Sequence, residues 1–291
     1  MNDGAPKARP VVLITGASAG IGAALARVFA ENGHDLVLIA RREGKLDALA
    51  DEIAGAGHVR PLVLPVDLAG PGGVERIASQ LAAHGLEPRY VVNNAGFGLM
   101  GEAAQVDRAE QLAMIDLNIR VLTELSLAFI EGLSRLQGGI LNVASVAGFL
   151  PGPGMAVYYA TKAYVLSFSE ALSHELKAQG VRVTTLCPGP VPTEFQARAG
   201  IPEVELANGQ RTPRALGSSS LLRTPEQVAK AGYAGLMRGQ RVVIPGIGNK
   251  AVALLARLTP HRVMLEIIGR SQVLRMEEAA GAPKKAGIGG Q

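Results

Sequence analysis

Val11-Val12-Leu13-Ile14-Thr15-Gly16-Ala17-Ser18-Ala19-Gly20-Ile21-Gly22 is a short β-rich apolar run that ends in a glycine-rich turn and leads into a segment of helical spacing. Strand, turn and helix in that order decide the fold. Glycines let the chain turn tightly and approach a phosphate, while the free amides and positive dipole end of the helix attract the anion. The stretch therefore predicts a dinucleotide pyrophosphate site built from Gly16, Ser18, Ala19, Gly20, Ile21 and Gly22. Its glycines are spaced Gly-x3-Gly-x-Gly rather than in the commoner Gly-x-Gly-x2-Gly pattern, so position after the first strand carries the reading.

Outward from this turn, as far as Pro190, the chain alternates apolar runs with segments of helical period, as a parallel sheet covered on both faces requires. Strands are expected at Val11 to Thr15, Asp35 to Ala40, Arg60 to Val66, Tyr90 to Asn93, Gly139 to Val143 and Val181 to Cys187, with a seventh at Arg241 to Pro245. Helices are expected at Ile21 to Glu31, Lys45 to Ala54, Val74 to Ala83, Arg108 to Leu136 and Tyr158 to Gln179. No internal repeat or interdomain linker interrupts the pattern. The reading is one doubly wound, Rossmann-like α/β domain over residues 10–246, with about seven strands in the order 3-2-1-4-5-6-7. Residues 1–9 read as a flexible arm, and about 197–223, rich in Gly, Ser, Pro and polar residues, as a mobile loop that covers substrate. Residues 247–276 read as a helical extension, and 277–291 as a disordered tail.

Composition excludes several functions. The chain has 291 residues, 48% of them hydrophobic, enough for a substantial core. Its single cysteine, Cys187, rules out an intramolecular disulfide framework, and no histidines stand at paired metal-ligand spacing, so no metal site is expected. The N-terminus lacks the apolar core of a secretory signal, which makes the cytoplasm the default location. Net charge is +4, but the residues from Arg241 onward carry eight Lys or Arg against three Glu, so the basicity belongs to the tail. Basic and aromatic residues do not interleave elsewhere and Trp is absent, which argues against nucleic-acid binding.

The second strand ends Leu38-Ile39-Ala40-Arg41-Arg42, where many dinucleotide folds place an acid against the adenine ribose. Two guanidinium groups in that place suit a 2′-phosphate, so the expected cofactor is NADP(H). Asp67 follows the third strand, where a short acid can bind the adenine amino group. Asn93-Asn94-Ala95-Gly96 closes the fourth, with a glycine that allows close approach to the cofactor. Ser145 follows the fifth strand at the carboxyl end, where ligands collect in open parallel sheets, and its hydroxyl can donate to a substrate oxygen. Asn118 lies inside a long predicted helix, where its side chain competes for backbone groups and can mark an irregularity. Tyr158 and Lys162 stand four residues apart on one helical face. A positive charge beside a phenol favours the ionised form and should lower a pKa that is ordinarily about 10.

In sequence order, Thr15 to Gly22, Asp67, Asn93 to Gly96, Asn118, Ser145, Tyr158 with Lys162, and Pro188-Gly189-Pro190-Val191-Pro192-Thr193 resemble the motifs of the short-chain dehydrogenases/reductases, in their single-domain branch. The resemblance covers roughly Pro10 to Phe195. It implies that Tyr158 is the proton donor or acceptor, that Lys162 lowers its pKa and holds the nicotinamide ribose, that Ser145 orients the carbonyl and that Asn118 helps organise a water relay. It likewise implies cofactor contacts from Asn94, Ala95, Gly96, Pro188, Gly189, Val191 and Thr193, and a homodimer or homotetramer.

The expected activity is NADP(H)-dependent interconversion of a carbonyl and an alcohol. Phe149 to Met155, between Ser145 and Tyr158, is apolar and should line the pocket, which favours a lipophilic ketone or aldehyde. A non-catalytic NADP(H)-sensing protein and an epimerase or dehydratase on the same fold are the alternatives. For the extension three readings stand open: a helix pair packed on its own domain or a sister subunit, a lid over an apolar substrate, and a basic amphipathic segment on a membrane surface.

Overall fold

The computed structural model describes residues 8–201, 203–205, 211–213, 221–260 and 262–269. Strand β1 (Arg9–Thr15) alternates its side chains between two cores, because successive residues of a strand point to opposite faces. Val12 and Ile14 enter one cluster with Leu36 and Leu38, while Val11 and Leu13 enter the other with Val37 and Ile39. Both faces are therefore apolar, which is why these strands read as unbroken hydrophobic runs.

The sheet continues through β2 (Leu36–Ala40), β3 (Leu62–Pro65), β4 (Leu86–Asn93), β5 (Gly139–Val143) and β6 (Arg182–Leu186). A short hairpin, β7 (Glu203–Glu205) with β8 (Arg211–Pro213), stands apart, and β9 (Val242–Val243) completes the main sheet. All seven main strands are parallel, in the order β3-β2-β1-β4-β5-β6-β9. The expected order holds, with β9 as its seventh strand. Chain direction across the sheet reverses between β1 and β4, and the carboxyl ends of those two strands open a crevice.

Helices α1 (Gly20–Glu31), α2 (Glu43–Gly55) and α9 (Pro225–Met237) accompany the first core, in which Ala24, Leu25, Val28 and Phe29 of α1 pack under the sheet. Helix α3 (Gly73–Ala83), α5 (Leu122–Ala128), α6 (Ile130–Arg135) and α7 (Ala156–Glu175) cover the other. Between β4 and β5 the expected single helix over Arg108 to Leu136 is not formed. Helix α4 (Arg108–Ile115) runs into a π-helical turn at Asp116–Val121 before α5, and Phe129, at φ −117°, breaks α5 from α6. Continuous helical spacing in a sequence cannot distinguish these cases, since all keep roughly the same face toward the sheet.

The stretch 197–223, expected to be a mobile loop, divides between a helix end and other segments. Its first residues belong to α8 (Glu194–Ala199), and much of the rest, like residues 1–7 and the tail 277–291, lies outside the described residues. The extension contains α10 (Ile247–Leu258) and a further helical stretch at residues 262–269. Among the described residues no helix is long and apolar enough to cross a membrane.

Candidate active site

At the end of β1 the chain turns through Gly16 and Gly20, both with φ in the left-handed region, at +65° and +56°. A Cβ on Gly16 would stand 2.8 Å from the Asn94 amide nitrogen, so the turn is pressed against the end of β4. Asn94 Nδ2 donates to Thr15 O at 2.9 Å and Gly16 O at 3.2 Å, and Thr15 Oγ1 accepts from the amides of Asn94 and Ala95, both at 3.0 Å. These bonds lock the glycine turn to the Asn94-Ala95-Gly96 strand end. Gly16, Ser18, Ala19, Gly20 and Ile21 line the cleft. Gly22 does not: a Cβ there would stand 2.3 Å from Gly16 O, so its role is to let α1 start against the turn.

The cleft encloses about 1040 Å³ and runs along the carboxyl edge of the sheet. Besides the turn, its walls include Arg41, Arg42, Asp67, Asn94, Ala95, Gly96, Ser145, Tyr158, Lys162, Pro188, Gly189, Val191 and Thr193. Residues scattered over more than 170 positions of sequence thus share one crevice. That volume lies at the upper end for a small-molecule site, which suits a dinucleotide with a second ligand beside it.

Tyr158 and Lys162 both project from α7, one turn apart, with Lys162 Nζ 5.9 Å from the centroid of the tyrosine ring. Lys162 is buried, and Nζ donates to Val143 O at 2.9 Å. Burial pulls its pKa down to about 8. An ammonium carries three donors, and Val143 O takes one, so donor capacity remains for a ribose in the cleft. For Tyr158 the expectation of a lowered pKa is corrected. Burial pushes the phenol well above its ordinary value, and the hydrogen bond with the Ser145 side chain only partly offsets it. Desolvation outweighs the charge of Lys162, whose Nζ lies 5.9 Å from the ring centroid. Ser145 caps the 3-10 turn Val146–Phe149, its Oγ accepting from Ala147 N at 3.1 Å and donating to Pro188 O at 3.4 Å, and it lines the same cleft as Tyr158.

Asn118 sits inside the π-helical turn, fully buried, and does not line the cleft itself. Its Oδ1 accepts from Phe97 N at 3.1 Å, and its Nδ2 donates to Phe97 O at 2.9 Å and Thr161 Oγ1 at 3.1 Å. The extra residue of a π turn rotates this side chain out of the α-helical register and toward β4 and α7. Thr161 Oγ1 in turn donates to Tyr158 O at 2.7 Å. Asn118 therefore joins the Phe97 loop to α7, the helix that carries Tyr158 and Lys162. Asn93, the neighbour of the cofactor strand end, is structural: it is buried, and Nδ2 donates to Ser126 Oγ and Asn142 Oδ1.

Several residues of the site are not singled out by sequence reading. Phe195, in the first turn of α8, packs its ring 5.4 Å from that of Tyr158, and its Cζ lies 2.8 Å from where a Cβ on Gly98 would be. Arg198 lies 4.2 Å over the Phe97 ring. Glu194 reaches Arg42 at 2.7 Å and Lys45 at 2.5 Å. The only legible signal for α8 is its capping box, Thr193 with Gln196, which marks a helix start at Glu194. Of the apolar stretch between Ser145 and Tyr158, Leu150 and Met155 line the cleft, whereas Phe149 packs inward under Arg257. Val252 and Ile268 of the extension also line it, so the extension forms part of the cleft wall. Meanwhile Ile247, Leu254, Leu255 and Leu258 leave an exposed apolar face on α10. Cys187 is buried, its thiol pushed up to about 12 by burial, and is packing. Among the described residues no three His, Cys, Asp or Glu converge as metal ligands.

A glycine-rich phosphate turn at the reversal point of a parallel sheet, with a Ser-Tyr-Lys set across the crevice, defines a dinucleotide-dependent oxidoreductase of the doubly wound class. The short chain dehydrogenase family model matches residues 10–203, and the chain belongs to that family. It is 41% identical over 188 residues to sulfoacetaldehyde reductase 2 of Chromohalobacter salexigens, covering 64% of this chain and 74% of that protein. Among solved structures it is similar to a short-chain dehydrogenase from Sphingobium yanoikuyae in complex with NADPH, with a TM-score of 0.72 and 31% identity over 95% of this chain and 98% of that one. It is also similar to the bulky-bulky ketone specific alcohol dehydrogenase of Comamonas testosteroni, with a TM-score of 0.67 and 26% identity over 96% and 97% of the two chains.

Proposed function

We propose that this oxidoreductase uses NADP(H) to interconvert a lipophilic ketone or aldehyde and its alcohol, acting mainly as a reductase. The observation that carries this reading is the convergence of Ser145, Tyr158 and buried Lys162 in one cleft, facing a wall of Leu99, Met100, Leu150, Met155, Phe195 and Val252. The Sphingobium neighbour binds NADPH and the Comamonas neighbour acts on bulky ketones, which supports both halves of the reading.

Bound NADPH supplies the hydride. Ser145 donates to the carbonyl oxygen and holds it beside the phenol. Tyr158, protonated over the whole neutral range because burial raises its pKa, gives its proton to that oxygen as charge builds there. Lys162, still largely cationic at neutral pH, stabilises the developing negative charge and offers its free donors to the ribose. With the phenol raised, the tyrosinate that accepts the proton in the oxidation direction forms only at high pH. Arg41, exposed at the mouth of the cleft, and Arg42 would hold the 2′-phosphate, with Asp67 at the adenine end. A cytoplasmic location fits the single cysteine, and the exposed apolar face of α10 suits a homodimer or homotetramer contact.

Substituting Tyr158→Phe should abolish NADPH-dependent reduction across a panel of ketones and aldehydes while leaving NADPH binding nearly intact. Retained turnover would sink the mechanism, and absence of turnover in the wild-type protein would revive the sensing alternative. Changing Arg41 and Arg42 to Ala should weaken NADPH much more than NADH. A second substrate reading, a small anionic aldehyde or hydroxy acid, is favoured by Arg198 at the cleft wall and by the sulfoacetaldehyde activity named for the Chromohalobacter relative. Comparing kcat/KM for an apolar ketone and an anionic aldehyde separates the two.

A further inference from the structure

The guanidinium expected to receive the cofactor's 2′-phosphate is already engaged. Arg42 donates through Nη1 to Glu194 Oε2 at 2.7 Å, and through Nε and Nη2 to Ser18 Oγ at 3.3 and 3.0 Å. Lys45, in the first turn of α2, donates to the other carboxylate oxygen of Glu194 at 2.5 Å. One carboxylate thus engages two cations at the end of β2, and together they hold the Glu194 carboxyl below the usual carboxylate range. Glu194 stands on α8, whose next residue, Phe195, packs against the Tyr158 ring. The capping box at Thr193 and the Gln196 side chain, which donates to Val191 O at 2.5 Å, fix that first turn rigidly. The backbone that carries Glu194 is therefore fixed within reach of the two cations, while its half-exposed side chain is held by those cations themselves.

We propose that Glu194 is a specificity-determining residue: its carboxylate occupies Arg42 and Lys45 in the ligand-free protein and competes with the 2′-phosphate of NADP(H) for them. The proposal rests on the reading of Arg41 and Arg42 as the 2′-phosphate site. A 2′-phosphate carries close to two negative charges and three acceptor oxygens, so it can displace a single carboxylate, but its apparent affinity is reduced by the fraction of protein in which the cations are engaged. NADH has no such group to place there. Glu194 therefore narrows the gap between the two cofactors without reversing it, and because α8 also touches Tyr158, release of Glu194 reaches the catalytic wall through one turn of helix.

The test is Glu194→Gln, which keeps the side-chain size and removes the charge. Dissociation constants for NADPH and NADH are read by titration calorimetry and nicotinamide fluorescence on the full chain, alongside Arg42→Ala and the double variant. Removing two half-exposed ion pairs of this kind should tighten NADPH by about two- to thirtyfold and leave NADH unchanged. In the Arg42→Ala background the gain should shrink. Weaker NADPH binding in Glu194→Gln would mean that the carboxylate supports the arginine, and unchanged binding or an equal change for both cofactors would mean that it takes no part; each overturns the proposal. If Arg42→Ala lowers NADPH affinity selectively while Glu194→Gln does nothing, only the role of Glu194 fails. If Arg42→Ala does not discriminate between the cofactors, the 2′-phosphate reading fails and the proposal with it.

Discussion

Raising the pH should switch off reduction through Lys162 before it touches Tyr158. Burial brings the lysine to about 8, while the phenol is shifted the opposite way, above its ordinary value. A lowered lysine pKa means that the folded protein loses the cation earlier than the unfolded chain, as pH rises through about 8 and not through 10.5. A raised tyrosine pKa means that the proton to be delivered is still present there. With a midpoint near 8, the cationic fraction is about 0.9 at pH 7, about 0.1 at pH 9 and about 0.01 at pH 10. Since kcat/KM reports the free enzyme, it should fall about tenfold for each unit above about pH 8, with no second break below about pH 10. The assay is the pH profile of kcat/KM for NADPH-dependent carbonyl reduction, taken at constant ionic strength. Lys162→Arg supplies the control, because a guanidinium stays charged throughout, and whatever activity it retains should show a flat profile in this window. A wild-type profile flat to about pH 10, or the same break in the arginine variant, would refute the assignment.

The same burial makes the lysine costly to the fold. A shift from 10.5 to about 8 corresponds to about 3 kcal/mol at neutral pH, a penalty relieved as pH rises toward the unfolded value. Lys162→Met should therefore raise the ligand-free protein's stability by about 1–3 kcal/mol, read as a higher urea midpoint, while turnover is lost. An unchanged or lower midpoint would contradict the desolvation account. Asn118→Ala should cost about 2–4 kcal/mol, because it leaves Phe97 N, Phe97 O and Thr161 Oγ1 without their buried partner. It should also lower kcat more than it raises KM, since the bonds join the Phe97 loop to the helix carrying Tyr158. A loss confined to KM would show that the link does not reach the catalytic helix.

The sequence alone determined the doubly wound sheet and its seven-strand order. Strands buried on both faces must be apolar throughout, as Val11 to Thr15 is, and a glycine turn after the first of them has few other uses. Gly16, Ser145, Tyr158 and Lys162 were legible because each is tied to a local signal: a strand end, a turn or a helical interval. Contacts between elements distant in sequence left no such trace. The π turn that aims Asn118 at Phe97 keeps the spacing of an ordinary helix. Glu194 reads as a solvent-facing acid in a first turn until folding sets it against Arg42 and Lys45, 152 and 149 residues earlier. The sign of the tyrosine shift was likewise a tertiary matter. Spacing says that a lysine is near the phenol, but only packing decides how deeply both are buried, and here desolvation outweighs the neighbouring charge.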